Sequence, residues 1–136
     1  MNEQILLNRI KTPDGTVLTS YHRHDFQTHE DTVTGEQYMV DGGRDYLRRS
    51  VNTVPAEDLT VYLTENHEAN RKAFHWGTRG KDGKSPLKYV PLAELYTDHI
   101  RAILETQSPI KGTYVDDLMR AELAYRAEKT GERQGQ

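Results

Sequence analysis

Apolar and polar residues alternate along the first third of the chain in a pattern typical of short strands. Residues 4–11 and 16–21 form two such runs, and the Thr-Pro-Asp-Gly segment between them has the composition of a tight turn. A second pair, residues 26–33 and 36–40, flanks a Thr-Gly dipeptide. The pattern predicts two β-hairpins that together make a small antiparallel sheet.

The spacing of the apolar residues becomes helical in the second half. A helix is predicted over residues 65–76, with Thr64 or Asn66 as its cap and Trp76 at its end. Two further helices are predicted to begin at Thr97 and at Thr113. A short strand is predicted over residues 87–90, before a proline that opens a helical turn.

These elements predict an α+β fold, in which a small antiparallel β-sheet in the N-terminal half packs with a mainly helical C-terminal half. The predicted boundaries are a β-rich module over residues 1–50 that ends in a short helix over 44–50, a linker over 51–56, a mainly helical module over 57–128 and a flexible tail over 129–136. We expect the two modules to form one compact domain.

Composition limits the class of protein without naming its chemistry. The 136 residues are 35% hydrophobic and 29% charged, with a net charge of -3, which is typical of a small globular protein and disfavours general duplex binding. Without cysteine there is neither a disulfide nor a thiolate ligand. No apolar run approaches the roughly 18 residues of a membrane span, so we expect no membrane partner and a cytoplasmic location.

Two histidines and a carboxylate occur together in His22-Arg-His24-Asp25. In a strand, His22 and His24 would share one face and could act as base and acid in phosphodiester cleavage, with Asp25 orienting one of them. The alternative is that Asp25 caps the turn and the histidines do no chemistry. A metal site formed by His22, His24 and His29 or Asp31 has no recognised spacing, so neither a metal nor a cofactor is predicted.

A turn with two adjacent glycines, Asp41-Gly42-Gly43, precedes several arginines. Paired glycines allow close approach of backbone to an anion, and guanidinium groups bind phosphate through paired hydrogen bonds. The predicted ligand-binding residues of this site are Asp41, Gly42, Gly43, Arg44, Tyr46, Arg48 and Arg49, with Tyr46 or Tyr38 stacking on a base. The alternative is a simple bend whose aspartates pair with the arginines at the surface.

A second polar, glycine-rich loop follows Trp76. It carries Arg79, Lys81 and Lys84, and Trp76 at its edge can offer a stacking face to a nucleotide. The spacing does not match a P-loop. The alternative is a solvated connection with the tryptophan in the core.

Two stretches resemble proteins of tailed bacteriophages. Residues 9–49, with Arg-His-Asp-Phe26 and Val-Asp-Gly-Gly-x-Asp-Tyr-Leu-Arg-Arg49, resemble a family of very short phage proteins. Residues 76–104, with Trp-Gly-Thr-Arg-Gly-Lys-Asp-Gly and a later His-Ile-x-x-Ile-Leu, are similar to a module of small phage accessory proteins. The resemblance implies phage origin, expression in the bacterial cytoplasm and an accessory role.

In the short phage proteins, cysteine pairs flank the His-Asp-Phe element as in a zinc ribbon. The corresponding positions of this chain fall near Thr12 and Gly15 and near His29 and Asp31, and none of them is a cysteine. The resemblance therefore implies that a turn has replaced the cysteine-bound metal of the zinc ribbon.

Three functional hypotheses follow. The first is a non-catalytic phage accessory protein that counteracts or redirects a host system by binding a host protein or a nucleotide-type immune signal. The second is a metal-independent phosphodiesterase or nuclease that uses His22 and His24. The third is a nucleic-acid-binding remnant of a zinc ribbon, which the acidic net charge disfavours. A symmetric homo-oligomer is compatible with the first hypothesis.

Overall fold

A computed structural model describes residues 3–80 and 82–130. The chain divides into two compact units, and the division falls between Leu63 and Thr64. Antiparallel sheets occupy the N-terminal half and helices dominate the C-terminal half, so the predicted α+β class is confirmed. No helix among the described residues is long and apolar enough to span a bilayer.

The first unit consists of short antiparallel strands. They are β1 (Ile5–Lys11), β2 (Val17–Ser20), β3 (Gln27–Glu30), β4 (Gln37–Asp41), β5 (Arg48–Arg49), β6 (Glu57–Asp58) and β7 (Val61–Tyr62). One sheet has the order β2-β1-β6, with β7 also paired to β1, and the other has the order β3-β4-β5. Both predicted hairpins, β1-β2 and β3-β4, are confirmed, but they belong to two separate sheets rather than to the one predicted sheet.

The core of the first unit contains Ile10, Leu18, Tyr38 and Val40, with Ala56 packed against them. Alternation along β2 and most of β4 turns Leu18, Tyr38 and Val40 inward, as expected for strands with one buried face. Strand β1 is buried along most of its length, and Ile10 lies in this buried part. The Tyr38 hydroxyl donates to the carbonyl of Val54. Tyr38 is 1% exposed and therefore offers no face for stacking on a base.

Two predictions for the first unit are corrected. Residues 44–50 are not helical, because the chain turns at residues 43–45 and then forms β5, where Arg48 and Arg49 lie opposite Asp41 and Val40. The predicted linker over residues 51–56 does not separate the units, since the later strands β6 and β7 still pair with β1.

The second unit combines helices with one hairpin. Its elements are α1 (His67–Ala73), β8 (His75–Thr78), β9 (Lys88–Pro91), α2 (Thr97–Thr106) and α3 (Tyr114–Thr130), with short 3-10 turns at Leu92–Glu94 and Ser108–Ile110. Asn66 caps α1 by accepting from the amide of Ala69, as predicted. Phe74, Leu92, Ile100 and Met119 are fully buried in this unit.

Trp76 lies in β8 opposite Val90 rather than at the end of a helix, which corrects that prediction. Helix α1 already ends at Ala73, where the N–H of Phe74 closes the last turn on the carbonyl of Asn70. Helix α3 continues to Thr130, beyond the predicted start of the tail at residue 129, and residues 131–136 lie outside the described part of the chain.

Candidate functional site

Two segments that hold predicted site residues, 22–26 and 42–48, pack against each other. Ser20 joins them, because its hydroxyl accepts from the N–H of Gly43 at 2.9 Å and donates to the carbonyl of Asp25 at 2.7 Å. The hydroxyl of Tyr46 also lies 3.4 Å from the carbonyl of Arg23. Residues far apart in sequence thus form one surface, which we name the paired-loop surface (residues 22–26 and 42–48).

Both glycines of the motif are required by close contacts within the chain. Gly42 has φ +105°, and a Cβ there would lie 2.0 Å from the carbonyl oxygen of Tyr46. Gly43 has φ +53°, and its Cβ would lie 2.4 Å from the carbonyl carbon of His22. Their N–H groups donate to Asp41 Oδ1 and to Ser20 Oγ. The chain's own atoms therefore occupy the space beside Gly42 and Gly43 in which an anion was predicted to contact the backbone.

His22 and His24 lie in a turn, because β3 begins only at Gln27. The strand alternation that would align the two imidazoles is absent at these positions, and both residues are exposed. Asp25 Oδ2 accepts from the N–H of Tyr21 at 2.8 Å, and its other oxygen accepts from the Gln27 amide. These bonds are those of a carboxylate that caps a turn.

The arginines of the motif do not form one site. Arg48 and Arg49 are consecutive residues of β5, so their side chains leave opposite faces of the sheet. Arg48 Nη1 lies 3.3 Å from Asp41 Oδ2. The guanidinium of Arg49 reaches the other sheet and donates to Asp58, Asn8, Thr60 and the carbonyl of Arg9. Arg44 is half-buried in the turn, and its carbonyl accepts from Gln4.

The paired-loop surface nevertheless exposes an unusual set of side chains. Phe26 is 55% exposed, Tyr46 39% and Leu47 37%. The side chains of Arg23 and Arg48 are 67% and 61% exposed, and Arg23 Nε lies 4.0 Å from Asp45 Oδ2. Exposed aromatic, aliphatic and arginine side chains on one small surface are typical of protein interfaces.

A polar cluster that sequence reasoning did not assemble closes the turns of both hairpins. His29 Nε2 lies 2.8 Å from Asp14 Oδ2, and Asp31 Oδ1 accepts from the N–H of Asp14 at 2.8 Å. Asp31 Oδ2 accepts from the N–H of Thr34. We name these residues, Asp14, His29 and Asp31, the turn staple.

The turn staple is a poor fit to a metal ion. One oxygen or nitrogen from each of its residues lies within 4.8 Å of the others, and imidazole and carboxylate are ligands for divalent metals. However, Asp14 Oδ1 already accepts from Thr12 and Thr16, and Oδ2 accepts from His29 and from both the N–H and the hydroxyl of Thr32. Hydrogen bonds therefore already use the lone pairs with which the Asp14 carboxylate would bind a metal.

The same bonds stabilise the ionised carboxylates. Hydrogen bonds from Thr12, then from His29 and Thr32, hold the pKa of Asp14 well below its ordinary value of 3.8. Burial raises the pKa of Asp31, but the N–H groups of Thr34 and Asp14 outweigh it, so this pKa also lies below 3.8. The staple is therefore closed while both aspartates are charged.

The loop predicted to bind a nucleotide in the second unit follows the first strand of a hairpin, β8. Trp76 is half-buried in β8, whereas Arg79 and Lys84 are exposed. Lys81 lies outside the described residues. In the same hairpin the ring of Tyr89 covers Gly77, where an added Cβ would lie 3.0 Å from Cε2 of the ring. The hairpin is held by cross-strand packing.

Glu122 is the most buried ionised group of the second unit, and sequence reasoning missed it. Arg71 donates to both its oxygens at 2.8 Å, Arg126 donates at 2.7 Å, and His67 Nε2 lies at 2.9 Å. Burial raises the pKa of Glu122, but these bonds outweigh it and the pKa lies below the ordinary 4.5. A charged residue on the apolar stripe of Leu118 and Met119 was the available signal.

The chain was also compared with protein-family models, with curated proteins and with solved structures. None of the three comparisons found a match. A function must therefore be inferred from the chemistry and geometry of the described residues.

Proposed function

We propose that this chain is a non-catalytic bacteriophage accessory protein that counteracts or redirects a host system by binding a host protein through the paired-loop surface. The observation that carries the proposal is the exposure of Phe26, Tyr46 and Leu47 beside Arg23 and Arg48. Large apolar side chains are costly to leave in water, and aromatic residues and arginine contribute most of the binding energy in protein interfaces.

The scaffold beneath the surface is suited to binding. Ser20 and the backbone contact between Gly43 and His22 fix the two loops to each other, so little conformational entropy remains to be lost when a partner binds. The exposed arginines can pair with carboxylates at the edge of an interface, and the rings between them can enter a partner's pocket.

Catalysis has weaker support. The phosphodiesterase hypothesis needs His22 and His24 to hold a common substrate, yet both lie on an exposed turn. Asp25, the residue expected to orient an imidazole, instead accepts hydrogen bonds from Tyr21 and Gln27. General acid-base catalysis requires groups held within hydrogen-bonding distance of one substrate, and Asp25 does not position either imidazole.

A nucleotide signal is the second candidate. The arginines and Tyr46 are residue types that hold phosphate and stack on bases, but both glycine N–H groups are already bonded within the chain. A nucleotide would have to bind on an open surface. We therefore favour a protein partner. The experiment below also tests nucleotide binding as the alternative.

Affinity capture with matched variants tests the proposal. Tagged full-length protein, the double variant Phe26→Ser with Arg48→Glu, and the control Val33→Ser are each incubated with bacterial lysate. Val33 is 69% exposed and lies outside the paired-loop surface, so its variant removes apolar area without touching the site. We expect a protein that the wild type and V33S retain and the double variant loses. Its purified form should then bind with the same ranking.

Three results would contradict the proposal. Retention of the same proteins by all three forms would show that the surface is not the interface. A saturable thermal shift with cyclic or linear nucleotides or ADP-ribose derivatives, lost in the double variant, would instead assign the surface to a nucleotide. Consumption of the nucleotide, followed by mass spectrometry and abolished by His22→Ala, would favour the enzyme.

A further inference from the structure

The chain contains three Asp-Gly dipeptides, Asp14-Gly15, Asp41-Gly42 and Asp82-Gly83. In such a dipeptide the glycine nitrogen can attack the side-chain carboxyl carbon of the aspartate, because glycine has no side chain to obstruct the approach. The product is a five-membered succinimide ring. All three glycines have a positive φ, so the surroundings of each dipeptide must decide which of them reacts in the folded protein.

The Asp41-Gly42 dipeptide is fixed by its neighbours. Asp41 is 6% exposed, its main-chain carbonyl accepts from the Asn8 amide at 2.9 Å, and its Oδ2 lies 3.3 Å from Arg48 Nη1. A Cβ on Gly42 would lie 2.0 Å from the carbonyl oxygen of Tyr46. Ring closure requires the carboxylate and the following peptide to rotate, and close packing at this position opposes that rotation.

The Asp14-Gly15 dipeptide has space around its glycine but a fixed carboxylate. No heavy atom lies within 4 Å of a Cβ added to Gly15. However, Asp14 Oδ1 accepts two hydrogen bonds and Oδ2 accepts three, from donors that include Thr12, His29 and Thr32. These bonds must break before the carboxyl carbon can turn toward the glycine nitrogen, whose N–H donates to the carbonyl of Thr12 at 2.8 Å.

The Asp82-Gly83 dipeptide has neither restraint. Both residues are exposed in the loop between β8 and β9, and no heavy atom lies within 4 Å of a Cβ added to Gly83. Among the described residues, the N–H of Lys84 donates to Asp82 Oδ1 at 2.9 Å, and the Gly83 N–H makes a longer bond of 3.2 Å to the carbonyl of Gly80. The carboxyl carbon can therefore approach the glycine nitrogen after two exposed hydrogen bonds break.

We propose that Asp82 is a site of spontaneous isomerisation to isoaspartate in the folded protein, whereas Asp14 and Asp41 are protected. The nitrogen of Gly83 gives its proton to water and bonds to Cγ of Asp82, and a protonated carboxyl oxygen leaves as water. A second water then opens the ring at the main-chain carbonyl, so that the peptide continues through the side chain. One water is released and one is consumed, so the composition is unchanged and no oxidant or reductant is needed.

The product changes the loop that carries Arg79 and Lys84. Isomerisation adds one methylene to the main chain and converts the former main-chain carbonyl of Asp82 into a carboxylate. It also removes the side-chain acceptor that bonds to the N–H of Lys84. This site lies in the second unit and the paired-loop surface lies in the first, so neither proposal requires the other.

Incubation of the folded, full-length protein at neutral pH in water enriched in ¹⁸O tests the proposal. Each ring opening takes one oxygen from the solvent and therefore labels the peptide that reacted. Chymotrypsin cuts after large apolar residues and places the three dipeptides on separate peptides, in which mass spectrometry measures the label and electron-transfer fragmentation identifies isoaspartate. Digestion of a sample that was not incubated measures what the digestion itself produces.

We expect label and isoaspartate to accumulate at least about tenfold faster at Asp82 than at Asp14 or Asp41, because the latter two react only after local opening. In concentrated urea the native bonds are lost, and the three sites should react at rates within about threefold of one another. This comparison separates the effect of the fold from that of the sequence.

Two matched variants complete the test. Asp82→Glu keeps the charge but would have to close a six-membered ring, so it should remove label and product from its peptide. Asp117→Glu changes an exposed aspartate that is followed by leucine, and it should leave the reaction at Asp82 unchanged.

The proposal is overturned if the folded protein labels the three dipeptides equally, or if Asp82 reacts in urea but is as slow as Asp14 and Asp41 in the folded chain. It is also overturned if D82E retains the label in the same peptide. Because no host component is present, these outcomes are independent of whether the paired-loop surface binds a host protein.

Discussion

In the first unit the carboxylates of Asp14 and Asp31 accept hydrogen bonds largely from backbone N–H groups and hydroxyls of the turns, whereas in the second unit Glu122 is held by arginine and histidine side chains. The first arrangement fixes the path of the chain locally. The second joins helices, since Arg71 lies on α1 and Glu122 on α3. A small fold can thus be secured either through its turns or through an ion cluster between its helices.

The largest effect is expected from Glu122→Gln. This substitution removes the buried charge that pairs with Arg71 and Arg126, whose side chains are each 15% exposed. Breaking a buried ion cluster in this way costs roughly 3–5 kcal/mol of unfolding free energy.

Urea unfolding followed by the fluorescence of Trp76, the single tryptophan of the chain, reports on the second unit. Glu105→Gln is the matched control, because Glu105 is exposed, and it should change stability by less than about 0.5 kcal/mol. Equal unfolding midpoints for E122Q and E105Q would show that the cluster does not hold the helices together.

A smaller but still large effect is expected from Gly43→Ala in the first unit. The new Cβ would meet the backbone of His22 at 2.4 Å in a residue with φ +53°. Backbone strain and steric overlap together should cost roughly 3 kcal/mol. Gly35→Ala separates the two causes, because Gly35 has φ +75° but nothing within 4 Å, and it should cost only about 1 kcal/mol.

The two glycine variants are compared by hydrogen exchange at the amides of β1 to β4. If G43A and G35A lose the same protection, the contact between the two loops adds nothing to stability.

An effect of intermediate size is expected in acid. The pKa of Asp14 is lower in the folded chain than its ordinary 3.8, so its ionised form contributes stability that is complete above that value. The contribution is lost as the pH falls from 3.8 toward the lower pKa of the folded state. We expect the wild type to lose more stability than Asp14→Asn between pH 7 and pH 3.

This difference is measured from urea midpoints of the amide signals of the first unit at both pH values. Asp117→Asn, an exposed substitution in the second unit, should leave those midpoints unchanged. A pH dependence that is the same in wild type and D14N would exclude the turn staple as its origin.

The smallest effect is expected from Asn66→Ala, which removes the side-chain acceptor at the start of α1. Loss of an N-cap costs about 1 kcal/mol. Because α1 carries Arg71, this variant also tests whether the ion cluster alone can hold a helix of seven residues. The loss of stability is measured as a lower midpoint of thermal unfolding, followed by the helical circular dichroism signal. An unchanged midpoint would mean that the cap does not stabilise the helix.

Local features of the sequence predicted the hairpins well. Asp14-Gly15 and Thr34-Gly35 fix both turns, because each glycine takes the positive φ that the turn needs and short flanking runs then pair in register. The cap at Asn66 followed from equally local chemistry. These elements are specified within a few residues, and the sequence displays them directly.

The errors have non-local causes. Residues 44–50 have a helical composition, but pairing of Arg48 and Arg49 with β4 overrides it. Trp76 matched a helical spacing, yet it pairs with Val90 across a hairpin. Residues 22–26 meet residues 42–48 through contacts between residues far apart in sequence, among them the hydroxyl of Ser20 bonded to an amide 23 residues away. Neither the composition of a segment nor its periodicity indicates a contact between residues so far apart in sequence.

The backbone crossing at His22 and Gly43 also bears on how this chain can evolve. Main-chain atoms and the hydroxyl of Ser20 hold the two loops together, and Arg23 adds an ion pair to Asp45, whereas the exposed apolar side chains of Phe26 and Leu47 can form neither type of bond. A lineage under pressure from a changing partner can replace those outward residues while Ser20 and Gly43 stay constant. Among natural variants, sequence diversity should therefore be highest at the exposed residues of the two loops, while Ser20 and Gly43 do not vary.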